Sequence, residues 1–87
     1  MIIDTHCHVD LYDEPISVVR AVQAAHIATI GVTYLPSHYQ LAEEHLHTCV
    51  HVKPAIGLHP LAAADHAGEL ALFRDLCLKT DFIGEVP

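Results

Sequence analysis

The opening segment reads IIDTHCHVD from Ile2 to Asp10, and it sets two imidazoles, His6 and His8, one residue apart at the end of an apolar run. Side chains alternate along a strand, so Ile3, Thr5, Cys7 and Val9 are expected on one face and Asp4, His6, His8 and Asp10 on the other. Cα atoms two residues apart in a strand lie ~7 Å from each other, close enough for both rings to reach one cation. On this reading Cys7 packs away from the pair, and Asp4 or Asp10 is placed to orient an imidazole. The plainer alternative is a pair of polar residues at a strand end.

Two further polar residues close apolar runs. His59 ends AIGLHP just before Pro60, and Glu85 follows Gly84 in FIGEVP. Parallel strands share one C-terminal rim, where α/β sheets and barrels hold their sites, so His6, His8, His59 and Glu85 are expected to converge there. Two imidazoles and a carboxylate are a usual ligand set for a divalent cation with room for water. Glu85 would need such a partner if buried, because an unpaired carboxylate among apolar groups is costly. His38, Tyr34 and Ser37, and Tyr12 and Asp13 after the first strand, could line the same mouth. His26, His45, His47, His51 and His66 read as surface or edge residues.

Strand-like runs occupy Ile2–Val9, Ala28–Leu35, Val52–Leu58 and Phe82–Val86, each rich in β-branched and small apolar residues and bounded by turn formers. Helical periodicity fills the intervals. A first helix is expected from Pro15 to about His26, a second from an N-cap at Ser37 through Leu41, His45, Leu46 and Cys49, and a third from Asp65 to Lys79. The strand starts recur every ~25–30 residues, the period of parallel βα units. The expected fold is α/β, with parallel βα repeats forming the N-terminal part, about four strands and three helices, of a (β/α)8 TIM barrel. Four strands cannot close that barrel. Residues 1–87 therefore read as part of one domain, needing a partner chain or a C-terminal continuation to complete it.

Composition narrows the partners. Four basic residues stand against 11 acidic ones, so no basic stripe is available to grip nucleic-acid phosphates directly, and any such affinity would come through a bound cation. With hydrophobic residues at 52%, the chain is built to bury a core rather than to remain disordered. Cys7, Cys49 and Cys77 are odd in number and lack a CxxC pair, which suits a reducing, cytoplasmic setting. No apolar run approaches the ~18 residues of a membrane span.

Taken in order, DTHCHVDLY, GLHP and IGEV resemble the motifs of the TatD family of metal-dependent deoxyribonucleases, which have (β/α)8 barrels. The resemblance covers the whole chain but only about the first third of such a protein. HVDLYDEP and VKPAIGLHP are similar in particular to the TatD-like nucleases of Qat antiphage defence systems. What this implies is a site of two divalent metal ions, Mg²⁺, Mn²⁺ or Zn²⁺, at the barrel mouth. His6 and His8 would bind one cation, Glu85 would sit between the two and act in catalysis, and His59 would act with it by helping to hold the substrate phosphate or by completing the shell of the site. The implied substrate is DNA, commonly single-stranded, and the implied reaction is phosphodiester hydrolysis. The family usually continues Gly-Glu-Ile-Gly-Leu-Asp, whereas Glu85 is followed here by Val86 and Pro87. The family's later metal-binding histidines and aspartate have no counterpart in these residues, so activity is expected of a full-length parent and little of this chain alone. Two other readings stay open: an amidohydrolase-type enzyme acting on a small molecule, and a non-catalytic assembly or binding subunit.

Overall fold

The computed structural model describes residues 1–87. The chain alternates strand and helix as β1 (Ile2–Cys7), α1 (Pro15–Ala24), β2 (Ile27–Val32), α2 (Pro36–Leu46), β3 (Val52–Gly57), α3 (Pro60–Ala63), α4 (Glu69–Cys77) and β4 (Ile83–Glu85). A single 3-10 turn, Val9–Leu11, follows β1. All neighbouring strands are parallel, and their order across the sheet is β1-β2-β3-β4. That order decides the architecture. Parallel crossovers are right-handed, so a sheet whose strands never reverse direction of addition receives every helix on the same face. A doubly wound sheet reverses at a switch point and is covered on both faces. Here the helices cover one face and none covers the other, which is the arrangement of a partial βα barrel.

The core lies between sheet and helices. Val9, Val19, Leu46 and Val52 form one cluster under α1 and α2, with Cys7 packed against it. Tyr39, Ile56, Leu58 and Phe73 form a second under α2 and α4. Only 16 of the 87 residues are buried, so the unit has little apolar burial to spend against the entropy of ordering the chain. No helix is long and apolar enough to cross a membrane.

Several boundaries differ from those the sequence suggests. β1 stops at Cys7, and Val9, expected in the strand, is buried from within the 3-10 turn. β2 ends at Val32 rather than Leu35, and β4 is three residues long. Helix α2 starts at Pro36, not after a Ser37 cap; its N-cap is Leu35, whose apolar side chain offers no hydrogen-bond acceptor. The first-turn N–H of Ser37 is instead met by Glu69 of α4, whose other oxygen accepts from the Ser37 hydroxyl at 2.6 Å. Such a carboxylate supplies what an internal cap would. The third predicted helix is two helices: α3 starts at Pro60, α4 only at Glu69, and turns fill the interval around Asp65.

Helix α1 ends on His26, the single non-glycine residue at positive φ (56°). Its N–H reaches the Gln23 carbonyl at 3.1 Å, closing the helix in the position where glycine is usual. The ring rests edge-on against His51, 5.2 Å between centroids. His26→Gly should raise stability by about 1 kcal/mol from relief of left-handed strain, less what the His51 contact contributes. The check is a urea melt, and a loss exceeding 1 kcal/mol would show that the ring contact outweighs the backbone.

Candidate metal centre

Two irregularities in the sheet aim the polar side chains. Ladder partners Asp4↔Thr29 and Cys7↔Gly31 leave Thr5 and His6 opposite the single residue Ile30, so β1 bulges there. The bulge breaks the simple alternation. Asp4 pairs with Thr29, and Thr29 with Val52, so Asp4 shares the helical side with Cys7 rather than the histidines' side. The Cys7 thiol registers this: burial pushes its pKa up, and the nearby Asp4 and Asp10 carboxylates push it further. Asp4 therefore does not orient an imidazole; its Oδ1 accepts the backbone N–H of His6 at 3.1 Å, holding the bulge.

The second irregularity is at Gly84, where Ile83 pairs with Ile56 and Glu85 with Gly57. A Cβ on Gly84 would lie 2.5 Å from a Val32 methyl, and one on Gly57 would lie 2.2 Å from the Thr33 carbonyl oxygen and 3.4 Å from Glu85 Cβ. Glycine at both places lets β4 close against β3 and sets the Glu85 carboxylate over the rim.

Three imidazoles meet that carboxylate. His6 Nε2 and His8 Nε2 lie 3.1 and 2.9 Å from Glu85 Oε1, and His59 Nε2 lies 3.5 Å from Oε2. The Glu85 side chain is 15% exposed, His8 23% and His6 51%. The ligating atoms of His6, His8 and Glu85 all fall within 4.8 Å of one another. The expected convergence of His6, His8, His59 and Glu85 is thus present, at the C-terminal ends of the three strands β1, β3 and β4.

The partners of the far ring nitrogens separate the histidines by role. His8 Nδ1 is 2.8 Å from the Val32 carbonyl oxygen, which can only accept. The proton of a neutral His8 ring therefore sits on Nδ1, and the Nε2 lone pair faces Glu85 Oε1. Two lone pairs opposed at 2.9 Å call for a positive charge between them, as a cation or a proton. His59 is the reverse: its Nδ1 accepts the Leu61 N–H at 3.1 Å, capping α3, so its proton sits on Nε2. His59 is then a hydrogen-bond donor toward the site rather than a metal ligand. Its ring is fixed further by Tyr34, stacked on it at 4.9 Å between centroids and 30° between planes.

Asp10 serves a different imidazole from those expected. Its Oδ2 accepts the Tyr34 N–H at 2.8 Å and lies 2.6 Å from His38 Nδ1. Oδ1 is buried without a partner. The link ties the turn after β1 to the end of β2, and so to the Tyr34 ring behind His59. Nothing in the local sequence pairs Asp10 with a residue 28 positions away. Ser37 is engaged by Glu69 and does not line the site, while Tyr12 is exposed.

Comparison with models of known protein families and with curated proteins finds no match. The chemistry of the donors present is then the ground for function. Those donors fit a divalent cation: two imidazole Nε2 atoms and a carboxylate oxygen, one tautomer fixed by a backbone carbonyl, at the mouth of a partial barrel.

Proposed function

We propose that the chain is the metal-binding portion of a TatD-like, metal-dependent hydrolase that acts on the phosphodiester bonds of DNA, with single strands as its substrate. The observation that carries the reading is the division of labour around Glu85, with His6 and His8 offering Nε2 to one carboxylate oxygen and His59 offering an N–H beside the other. His6, His8 and Glu85 would hold a divalent ion, Mg²⁺, Mn²⁺ or Zn²⁺, and a second ion would share Glu85. When bound, such ions polarise a phosphoryl oxygen and activate water. The chain's own groups would do the rest. His59 donates its Nε2 proton as a hydrogen bond to a non-bridging phosphate oxygen, Tyr34 keeps the ring in that plane, and Val32 keeps His8 in its ligating tautomer. The bound cations also answer the charge problem, since a chain of net charge −7 would otherwise repel a phosphate backbone. A cytoplasmic location and a part in antiphage defence belong to the same proposal.

The test is Mn²⁺-dependent binding of a labelled single-stranded oligonucleotide, followed by slow hydrolysis that EDTA abolishes. His59→Ala should weaken DNA binding by roughly ten- to a hundredfold, the worth of one hydrogen bond to a charged group, while His47→Ala changes nothing. Metal uptake with no effect of DNA in either assay would favour the non-catalytic subunit instead.

A further inference from the structure

We infer that a cavity between α1 and α2 is a second binding site, suited to a small apolar molecule that carries one hydroxyl, of the class of an alkylphenol. The inference does not depend on the metal centre or on DNA, since none of His6, His8, His59 and Glu85 lines this cavity.

The cavity arises because α1 and α2 each pack on the sheet but scarcely touch one another. The gap holds about 310 Å³. Its floor is Val9, in the turn after β1, and residues 31–33 at the end of β2; Val19 of α1 and Ala42 and Leu46 of α2 form its walls. Ile16 and Leu41, one from each helix, flank it with 47% and 57% of their surface exposed. An apolar cavity of about 150 Å³ holds a benzene ring. This one therefore has room for a ring with a short alkyl chain, and such a molecule would cover both exposed side chains.

The polar groups on the wall select the ligand. Asp10 and His38 both line the cavity. Asp10 Oδ2 accepts the Tyr34 N–H at 2.8 Å and lies 2.6 Å from His38 Nδ1, which fixes the imidazole from behind. The ring's other nitrogen, Nε2, has no partner in the protein, and the side chain is 37% exposed, so a ligand can reach it. Thr33 is committed elsewhere, its buried hydroxyl donating to the Ala55 carbonyl. His45 is exposed and turns its Nδ1 to the Leu41 carbonyl of its own helix at 2.8 Å.

Charge narrows the class further. No Lys or Arg lines the cavity, and Asp10 Oδ1 is buried without a partner, so an anion would meet uncompensated negative charge. An ammonium group would lose its hydration against apolar walls. A neutral hydroxyl both donates and accepts, so it meets Nε2 whichever way the ring is protonated.

Titration of the chain with para-ethylphenol, followed by backbone amide chemical shifts, should show one site with a Kd of roughly 0.1–1 mM. The shifts should centre on Gly31, Val32 and Leu41 and be unchanged by EDTA. Ethylbenzene, the same shape without the hydroxyl, should bind about three- to tenfold more weakly. His38→Phe keeps a ring but removes Nε2, and should bring the two compounds within about twofold of each other. Ala42→Leu covers the case in which that variant does not fold: it fills the cavity from α2 and should abolish binding of both. No shifts at all, equal affinity of the unaltered chain for the two compounds, binding that survives Ala42→Leu, or tighter binding of phenylethylamine than of para-ethylphenol would each overturn the inference.

Discussion

Gly57→Ala should leave little cooperatively folded protein, the largest loss expected of any glycine-to-alanine change in the chain. The added methyl would lie 2.2 Å from the Thr33 carbonyl oxygen, a backbone atom that no rotamer change can move. Relief requires β3 and the end of β2 to part, in the segment where Thr33 N–H and Thr33 Oγ1 both donate to the Ala55 carbonyl. Overpacking against backbone costs about 3 kcal/mol or more. A domain of 87 residues has roughly 4–13 kcal/mol in all, and one with so few buried residues belongs near the lower figure. Gly84→Ala meets Val32 methyls at 2.5 and 2.8 Å, side-chain atoms that can shift in part, so about 1–3 kcal/mol is expected. Gly68→Ala meets nothing within 4 Å at helical φ and should stabilise by about 0.4–1 kcal/mol. Urea denaturation followed by circular dichroism ranks the three. A Gly57→Ala protein as stable as Gly68→Ala would mean that β3 and Thr33 can move apart without loss of stability.

That ranking marks where the sequence is legible and where it is not. Strand number, direction and order follow from the spacing of apolar runs, because a βα repeat has a nearly fixed length. The rim residues follow too, since a polar residue closing an apolar strand has few other places to go. His59 and Glu85 are readable in this way; Gly57, which makes room for the carboxylate, is not. Its requirement comes from a carbonyl 24 residues earlier and so exists only once β2 and β3 are paired. The bulge in β1 is hidden for the same reason. Strict alternation sends Asp4 with His6, and only the ladder to β2 reveals the extra residue that sends it toward Cys7. The Asp10–His38 link and the Glu69 cap on α2 are likewise contacts between distant elements, each overriding a local expectation. Local pattern placed the strands, and tertiary contact decided where their side chains point.

His8→Ala should weaken Zn²⁺ or Mn²⁺ binding by on the order of a hundredfold or more, while His59→Ala leaves it within about threefold. Both rings stand close to Glu85, so proximity alone does not separate them. The separation comes from what each Nδ1 touches. Val32's carbonyl takes the His8 Nδ1 proton and frees Nε2 to ligate, whereas the Leu61 N–H occupies the His59 Nδ1 lone pair and leaves a proton on Nε2. Loss of a partner that merely orients a ligand costs about 10–100-fold in metal affinity, so loss of the ligand itself should cost at least as much. Glu85→Gln should fall with His8→Ala, because the amide keeps the shape but not the charge that meets the cation. His6→Ala should lie between, as that ring is half exposed and has no partner on Nδ1 to hold it. Competition against a chromophoric chelator measures all four. Equal losses in His8→Ala and His59→Ala would show that the Leu61 bond does not set the tautomer of His59, and the donor assigned to the phosphate would have to be counted among the ligands instead.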